Sequence, residues 1–162
     1  MQVIQKAPAL AMHVTSFYAA LLTIVFVSLS VRVLRLRRSL GIAIGDAGNS
    51  QMLRAMRVQA NCAEYVPLGL VLLILLELQN ANTWLIHSLG ISLLCGRLLH
   101  AYGVSQPKEP FGLRVAGMAL TLTSLLTSTV YLLILSAERV NRNETPALRN
   151  QSTFVCMAVC SL

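Results

Sequence analysis

Four long apolar runs separated by short polar connections make up most of the chain. The runs cover about Leu10 to Val31, Ser50 to Gln79, Thr83 to Tyr102 and Leu113 to Ala137. A helix needs roughly 20 residues to cross the hydrocarbon core of a bilayer, and each run reaches that length. Because backbone groups in lipid have to be hydrogen-bonded within their own segment, the pattern predicts four transmembrane helices rather than a few buried strands.

The runs predict one all-α membrane domain, a four-transmembrane-helix bundle, over residues 1–137. Residues 138–162 are polar at first and end in the apolar stretch Thr153 to Leu162, which is too short to span a bilayer. We therefore predict a poorly ordered tail after residue 137. The first run is predicted to be a retained span, because it ends in arginines rather than in the small residues of a signal-peptide cleavage site.

The composition supports a membrane protein. Hydrophobic residues make up 56% of the 162 residues and charged residues 12%, whereas soluble domains carry roughly 25% charged residues. The net charge of +7 comes largely from arginines near the ends of the runs, a pattern typical of anchoring to anionic lipid headgroups and not of nucleic-acid binding. From this charge pattern we predict no nucleic-acid partner. The four cysteines show no zinc-ligand spacing, so we also predict no metal site.

The basic residues also predict the orientation in the membrane. The connection from Arg32 to Asn49 is predicted to be a basic turn, and the connection from Gly103 to Arg114 has a smaller basic excess. The turn at Asn80, on the opposite side, is neutral. Because positive residues favour the cytoplasmic side, we predict that both termini lie outside and that the basic connections lie in the cytoplasm.

A polar stripe interrupts the second run. Arg57, Asn61, Glu64 and Tyr65 lie at i, i+4, i+7 and i+8, which is one face of a helix. Ionisable groups at bilayer depth are costly, so they usually face the interior of a bundle or a wet cavity and mark a functional site.

A second polar group falls at the same depth on the third run. At 1.5 Å per residue, Glu64 and Arg97 lie ~22 and ~21 Å from the outer ends of their spans, and Asn61 and His100 lie ~27 and ~25 Å from them. Two interpretations follow. Glu64 forms a buried ion pair with Arg97 or Arg57 that only fixes helix register, or the groups line an arginine-rich, cytoplasm-facing cavity for a small polyanion whose amine contacts Glu64.

Small residues at four-residue or similar spacing predict the faces on which the helices pack, since transmembrane helices approach most closely through small side chains. These residues occur on the first, third and fourth runs: Ser16, Ala20, Thr23 and Val27; Ser88, Ser92 and Gly96; and Gly117, Thr121, Ser124 and Ser128.

The polar segments resemble those of the MAPEG family, the membrane-associated proteins of eicosanoid and glutathione metabolism, and most closely its small bacterial inner-membrane members. Two patterns carry the resemblance: Arg-x-x-x-Asn-x-x-Glu-x-x-Pro from Arg57 to Pro67, and Gly-Arg-x-x-His from Gly96 to His100. The matching segments are residues 45–49, 54–68, 83–87 and 96–103. One departure is Val104, where an aromatic residue is expected seven positions after Arg97, and it argues against specialised eicosanoid chemistry.

The resemblance implies a homotrimer of four-helix protomers in the bacterial inner membrane, with glutathione bound between protomers near the cytoplasmic face. It implies that an arginine near the end of the first span, Arg35, Arg37 or Arg38, helps to activate the thiol. The predicted catalytic residues are Arg35, Arg37 and Arg114. The predicted glutathione-binding residues are Arg57, Gln59, Asn61, Glu64, Tyr65, Arg97, His100 and Tyr102.

The function implied is that of a membrane-bound glutathione transferase, with glutathione peroxidase activity as a further possibility. Glutathione is the expected co-substrate, and lipophilic electrophiles and membrane lipids are the other expected partners. A non-catalytic module that binds glutathione or lipid is the alternative. A small four-span exporter is disfavoured, because such proteins resemble one another in a glutamate on the first span, and this first span has no carboxylate.

Overall fold

A computed structural model describes residues 13–106 and 111–160, with side chains described up to residue 141. The described residues form four helices: α1 (His13–Leu40), α2 (Ser50–Leu78), α3 (Thr83–Ser105) and α4 (Phe111–Cys160). Each helix has a segment long and apolar enough to cross a membrane, and in α4 that segment is Phe111–Asn141. The predicted all-α, multi-pass membrane protein is confirmed.

Two helix ends differ from the predicted boundaries. Helix α1 continues to Leu40, so the arginines after Val31 are helical and do not form a turn. Arginine is a good helix former, and a helix that leaves the hydrocarbon core does not have to stop there. Helix α4 continues through residues 138–160, the segment predicted to be a separate tail. The division of the chain at residue 137 and the poor order of the tail stay predictions, and the start of the first run at Leu10 lies outside the described residues.

The chain divides into two units, Met1–Ser128 and Thr129–Leu162. The described part of the first unit contains α1, α2, α3 and the first part of α4, and the second unit contains the rest of α4. In the first unit, α1 packs against α2 and α3, and α2 packs against α3. All the interactions that build the site described below lie within the first unit.

The connection between α1 and α2 is a hydrogen-bonded turn. Asn49 is the N-cap of α2, and its side-chain oxygen accepts from the backbone N–H of Met52 at 3.0 Å. Gly48, directly before it, has a φ of +73°, which favours glycine. Arg37 donates from Nη1 to the carbonyl oxygens of Ala43 and Gly45, each at 3.2 Å. The basic end of α1 therefore fixes the start of α2.

At the opposite end of the bundle, side-chain contacts join α1 to α2 and α3. The Glu77 carboxylate on α2 accepts from the backbone N–H groups of Val14 and Thr15 at 3.0 and 2.9 Å. It therefore caps the N-terminal turn of α1, where a negative charge is favourable. The Tyr18 hydroxyl lies 3.1 Å from Nδ1 of His87, which links α1 to α3.

Helices α3 and α4 meet backbone to backbone. A Cβ atom on Gly117 would lie 2.5 Å from the backbone nitrogen of His100 and 2.8 Å from the carbonyl oxygen of Gly96. The predicted packing face of the fourth span is confirmed, because Gly117, Thr121, Ser124 and Ser128 are all buried. This close approach brings Thr121 directly against α3, where it takes part in the site.

The predicted packing faces of the other spans hold only in part. On α3, Gly96 is buried and Ser92 donates to the carbonyl of Leu120 at 3.0 Å, whereas Ser88 is exposed and donates to its own helix. On α1, the predicted small residues are exposed, and the buried face consists of Thr15, Tyr18 and Leu22. A large residue of α1 is buried because the small residue of this contact lies on α3. The Tyr18 ring packs on Gly90, where a Cβ would lie 2.5 Å from the ring.

The contact at Gly117 predicts a strong dependence of stability on one methyl group. We expect Gly117→Ala to lower the thermal unfolding midpoint in detergent, at a cost of about 1–3 kcal/mol, because the new Cβ overlaps backbone that cannot move aside. Gly112→Ala is the matched control, since nothing lies within 4 Å of a Cβ there. Equal midpoints for the two variants, measured by circular dichroism, would contradict the α3–α4 contact.

Candidate functional site

An open cleft of about 630 Å³ lies between the first half of α2, the end of α3 and the start of α4. Its volume is within the range of about 300–1,000 Å³ that is usual for small-molecule sites. The residues that line it are Ser50, Leu53, Arg54, Arg57, Ala60, Asn61, Glu64, His100, Val104 and Arg114.

The cleft brings together five of the residues predicted from the sequence: Arg57, Asn61, Glu64, His100 and Arg114. The three from α2 share one face because they recur every three or four residues on a helix with 3.6 residues per turn. The remaining two come from α3 and α4. The structure therefore supports the interpretation of a polar cavity.

The sequence interpretation missed Arg54 and Ser50, which line the same cleft. Arg54 lies three residues before Arg57, and Ser50 a further turn before it, so the polar stripe extends toward the start of α2. Following the helical spacing in that direction would have found both. Arg54 also donates from Nη1 to the carbonyl of Gln106 at 3.1 Å, which joins the start of α2 to the end of α3. The apolar lining residues carry no such signal in the sequence.

Arg97 lies behind the cleft and is only 2% exposed. Its Nε and Nη2 atoms donate to Thr121 Oγ1 at 2.9 and 2.5 Å, and its Nη1 atom donates to Asn61 Oδ1 at 2.5 Å. Nη2 also lies 3.4 Å from the sulfur of Met118, and the guanidinium carbon lies 5.2 Å from the centre of the Tyr65 ring. Arg97 is thus placed to hold other residues of the site.

The ion-pair interpretation of Glu64 is wrong for Arg97. Within the described residues, the guanidinium of Arg97 bonds Asn61 and Thr121 and forms no pair with Glu64. The depth estimate nevertheless identified the right level, because Arg97 on α3 contacts Asn61, which lies one turn from Glu64 on α2. Glu64 instead lines the cleft and is exposed there, as is Arg57.

Other predicted site residues do not line the cleft of this chain. Gln59 and Tyr65 are half-buried on other parts of α2, and Tyr102 is 59% exposed on α3. Arg37 bonds the connection between α1 and α2. Arg35 lines a separate groove of about 350 Å³ along α1.

That groove is lined by Ser28, Val31, Arg32, Arg35, Leu36 and Ser39. Arg32 is held in place, because its Nη1 atom donates to Ser105 Oγ at 2.5 Å. Arg35 is exposed at the surface of α1. None of the described arginines of α1 is among the residues that line the cleft of this chain.

The cleft carries an excess of positive charge. Three arginines and one carboxylate line it, and the buried guanidinium of Arg97 lies behind it. His100 is buried at its edge. Arginine is well suited to binding carboxylates, because its planar fork of N–H donors matches two oxygens. Such a lining favours an anionic ligand.

The fold and the cleft together define a four-helix integral membrane protein with an arginine-rich site between its helices. A model of the MAPEG family matches residues 15–134, and the chain belongs to the MAPEG family. The resemblance drawn from the polar segments is therefore confirmed.

Two relatives extend this comparison. The chain is similar to the inner membrane protein YecN of Escherichia coli (strain K12), with 39% identity over 113 residues, which cover 70% of this chain and 85% of that protein. The inner membrane protein YecN of Escherichia coli O6:H1 (strain CFT073) shows the same identity over the same length. The predicted inner-membrane localisation agrees with the names of these relatives.

The hydrogen bonds of Arg97 predict that one hydroxyl supports the site. Thr121→Val keeps the side-chain shape but removes the oxygen that accepts from both Nε and Nη2 of a buried cation. We expect a loss of stability of about 1–3 kcal/mol, seen as a lower unfolding midpoint in detergent. Thr123→Val, at an exposed position of the same helix, is expected to change it little. Equal effects of the two substitutions would show that the Thr121 contact contributes nothing.

Proposed function

We propose that the protein is a membrane-bound glutathione transferase that holds glutathione in the cleft as its thiolate and transfers it to lipophilic electrophiles. The observation that carries the proposal is the convergence of three arginines, one carboxylate and one amide on an open cleft within a bundle of apolar helices. Membership of the MAPEG family supports glutathione as the ligand.

The charges of the cleft complement those of glutathione. The tripeptide has two carboxylates, one ammonium group and one thiol at neutral pH. Arg54, Arg57 and Arg114 supply donors for the carboxylates, and Glu64 supplies an acceptor for the ammonium group. Because one carboxylate stands among three arginines, the cleft still has positive charge left for a thiolate once the zwitterionic part of the ligand is matched.

The same charge explains activation of the thiol. A free thiol has a pKa of about 8.5 and reacts as the thiolate. Lowering the pKa of the bound thiol by about two units requires ~2.7 kcal/mol of preferential stabilisation of the thiolate. One or two arginine contacts in a partly dehydrated site supply energies of this order. Arg114 is the cleft residue to which we assign this role.

The chemical step is substitution or addition at an electrophilic carbon. The thiolate sulfur forms a bond to that carbon. In a substitution the leaving group departs with the electron pair of the broken bond, and in an addition the π electron pair moves away from that carbon and is protonated by water. A lipophilic substrate dissolves in the bilayer and reaches the cleft from the side, which explains a site inside a membrane bundle. Peroxidase activity would use the same thiolate on a hydroperoxide, with a second glutathione completing the disulfide.

No arginine of α1 is among the residues that line the cleft of its own chain. In a homotrimer, a neighbouring protomer would supply one. Arg35 is exposed and lines a groove on the outer surface of α1, whereas Arg37 is engaged by its own chain. Arg35 is therefore the better candidate to reach the cleft of a neighbouring protomer and to share in stabilising the thiolate there. In this arrangement each site combines α2, α3 and α4 of one protomer with α1 of the next.

The cleft predicts that Arg57 is required for transfer. We expect Arg57→Ala to lower kcat/KM for conjugation of glutathione to a chlorodinitrobenzene by about 10- to 100-fold, the effect of losing one charge-assisted hydrogen bond. Arg139→Ala, which removes an exposed arginine outside the cleft, should leave kcat/KM unchanged. Unaltered turnover by Arg57→Ala would reject this site, and glutathione binding without turnover by the unmodified protein would favour the non-catalytic module.

The shared site predicts complementation between two inactive variants. Arg35→Ala and Arg57→Ala protomers, co-expressed in equal amounts, should assemble at random, so that about one interface in four over all the trimers combines an intact Arg35 with an intact Arg57. We expect conjugation activity at about a quarter of the unmodified level, with each variant alone as the control. Activity no higher than that of the single variants would show that the two arginines do not meet across an interface.

A further inference from the structure

The side-chain amide of Asn61 lines the cleft and also contacts the buried guanidinium of Arg97. Nη1 of Arg97 lies 2.5 Å from Oδ1 of Asn61. A guanidinium has N–H donors and no acceptor, so the amide oxygen has to face Arg97. The amide NH₂ group therefore faces away from Arg97, and none of the described residues accepts a hydrogen bond from it. Because Asn61 lines the cleft, this donor group is the part of the amide that a ligand meets.

Arg97 can impose this orientation because it is itself fixed. Thr121 Oγ1 accepts from both Nε and Nη2 of Arg97, and the Thr121 hydroxyl donates to the carbonyl of Gly117 at 2.9 Å. The Tyr65 ring covers the guanidinium carbon at 5.2 Å. Because Nε and Nη2 both donate to the one oxygen of Thr121, Nη1 lies on the opposite side of the guanidinium from Thr121, and this is the side of Asn61.

The charge of Arg97 also favours an anionic ligand beside Asn61. Its side chain is 2% exposed, and the hydrogen-bond partners that the described residues offer it are the neutral groups of Asn61, Thr121 and Met118. A buried charge whose contacts are neutral remains attractive to a counter-ion nearby. An anionic group beside Asn61 would provide that counter-ion.

We propose that Arg97 is a positioning residue of the cleft: together with Thr121 it holds the Asn61 amide with its N–H donors toward the ligand, so that the cleft selects an anionic acceptor group. This inference rests on the proposed function and specifies how the site chooses its ligand. The acceptor is a carboxylate or the thiolate of glutathione, because both are anionic groups that accept hydrogen bonds. Asn61 touches the ligand, whereas Arg97 acts through Asn61.

The test is ligand selectivity rather than affinity alone. Binding is measured by calorimetry for glutathione, for its two analogues with one carboxylate converted to a carboxamide, and for S-methylglutathione. In the unmodified protein we expect all three analogues to bind more weakly than glutathione, because each lacks one anionic group that the arginines bind, and one of them by about a further tenfold, the factor for one more hydrogen bond to a charged group. The analogue whose binding ratio changes in Arg97→Gln identifies which anionic group Asn61 contacts.

Arg97→Gln should reduce that one ratio by about tenfold, since glutamine both donates and accepts and so no longer fixes the amide. Arg97→Lys, which can only donate, should keep the preference. Arg139→Gln is the matched control and should keep it too. The proposal is overturned if Arg97→Gln retains the selectivity of the unmodified protein, or if it weakens all four ligands equally. If Arg97→Gln does not fold, Thr121→Val serves in its place, with the same two outcomes.

A ligand-free measurement separates this proposal from the proposed function. The unfolding midpoints of Asn61→Leu, Arg97→Gln and the double variant form a double-mutant cycle, and we expect clearly non-additive losses. The pair Asn61→Leu and Arg139→Gln should be additive. If the unmodified protein binds none of the four ligands, the proposed function fails, and additivity in the Asn61–Arg97 cycle would then overturn the positioning role as well.

Discussion

A buried guanidinium held by neutral groups is the constraint on which the site depends. Arg97 lies inside a bundle of membrane-spanning helices, where an ionised side chain is costly unless it is fully hydrogen-bonded. Its partners come from two other helices, Asn61 on α2 and Thr121 on α4. One side chain therefore fixes the relative positions of α2, α3 and α4, the same three helices that form the cleft.

Close packing makes this arrangement possible. Thr121 reaches Arg97 because α4 approaches α3 backbone to backbone, at Gly96 and Gly117. The positions of α1 and α2 are set elsewhere, by the Glu77 carboxylate at one end of the bundle and by Arg37 at the other. The polar residues of the chain thus divide into a group that joins helices and a group that faces the cleft, and Asn61 belongs to both.

The sequence predicts the four helices and the polar face of α2 because both depend on local spacing: length and hydropathy for the helices, and the 3.6-residue repeat for the stripe. It does not predict the partners of Arg97. Depth along the two helices places Arg97 level with Glu64 and about one turn from Asn61, and the rotation of each helix and the direction of the side chain decide which residue meets the guanidinium. The packing face predicted for α1 differs from the buried face for the same reason, since the Tyr18 ring of α1 packs on Gly90 of α3.

The ionisation of glutathione in the cleft tests the central claim most directly. Thiolate absorbs in the ultraviolet and thiol does not, so a pH titration of the purified protein saturated with glutathione reports the pKa of the bound thiol. The charge of the cleft predicts a pKa about two units below the value of about 8.5 for a free thiol. Bound glutathione that ionises at its ordinary pKa would contradict the account, because the arginines would then bind the tripeptide without activating its sulfur.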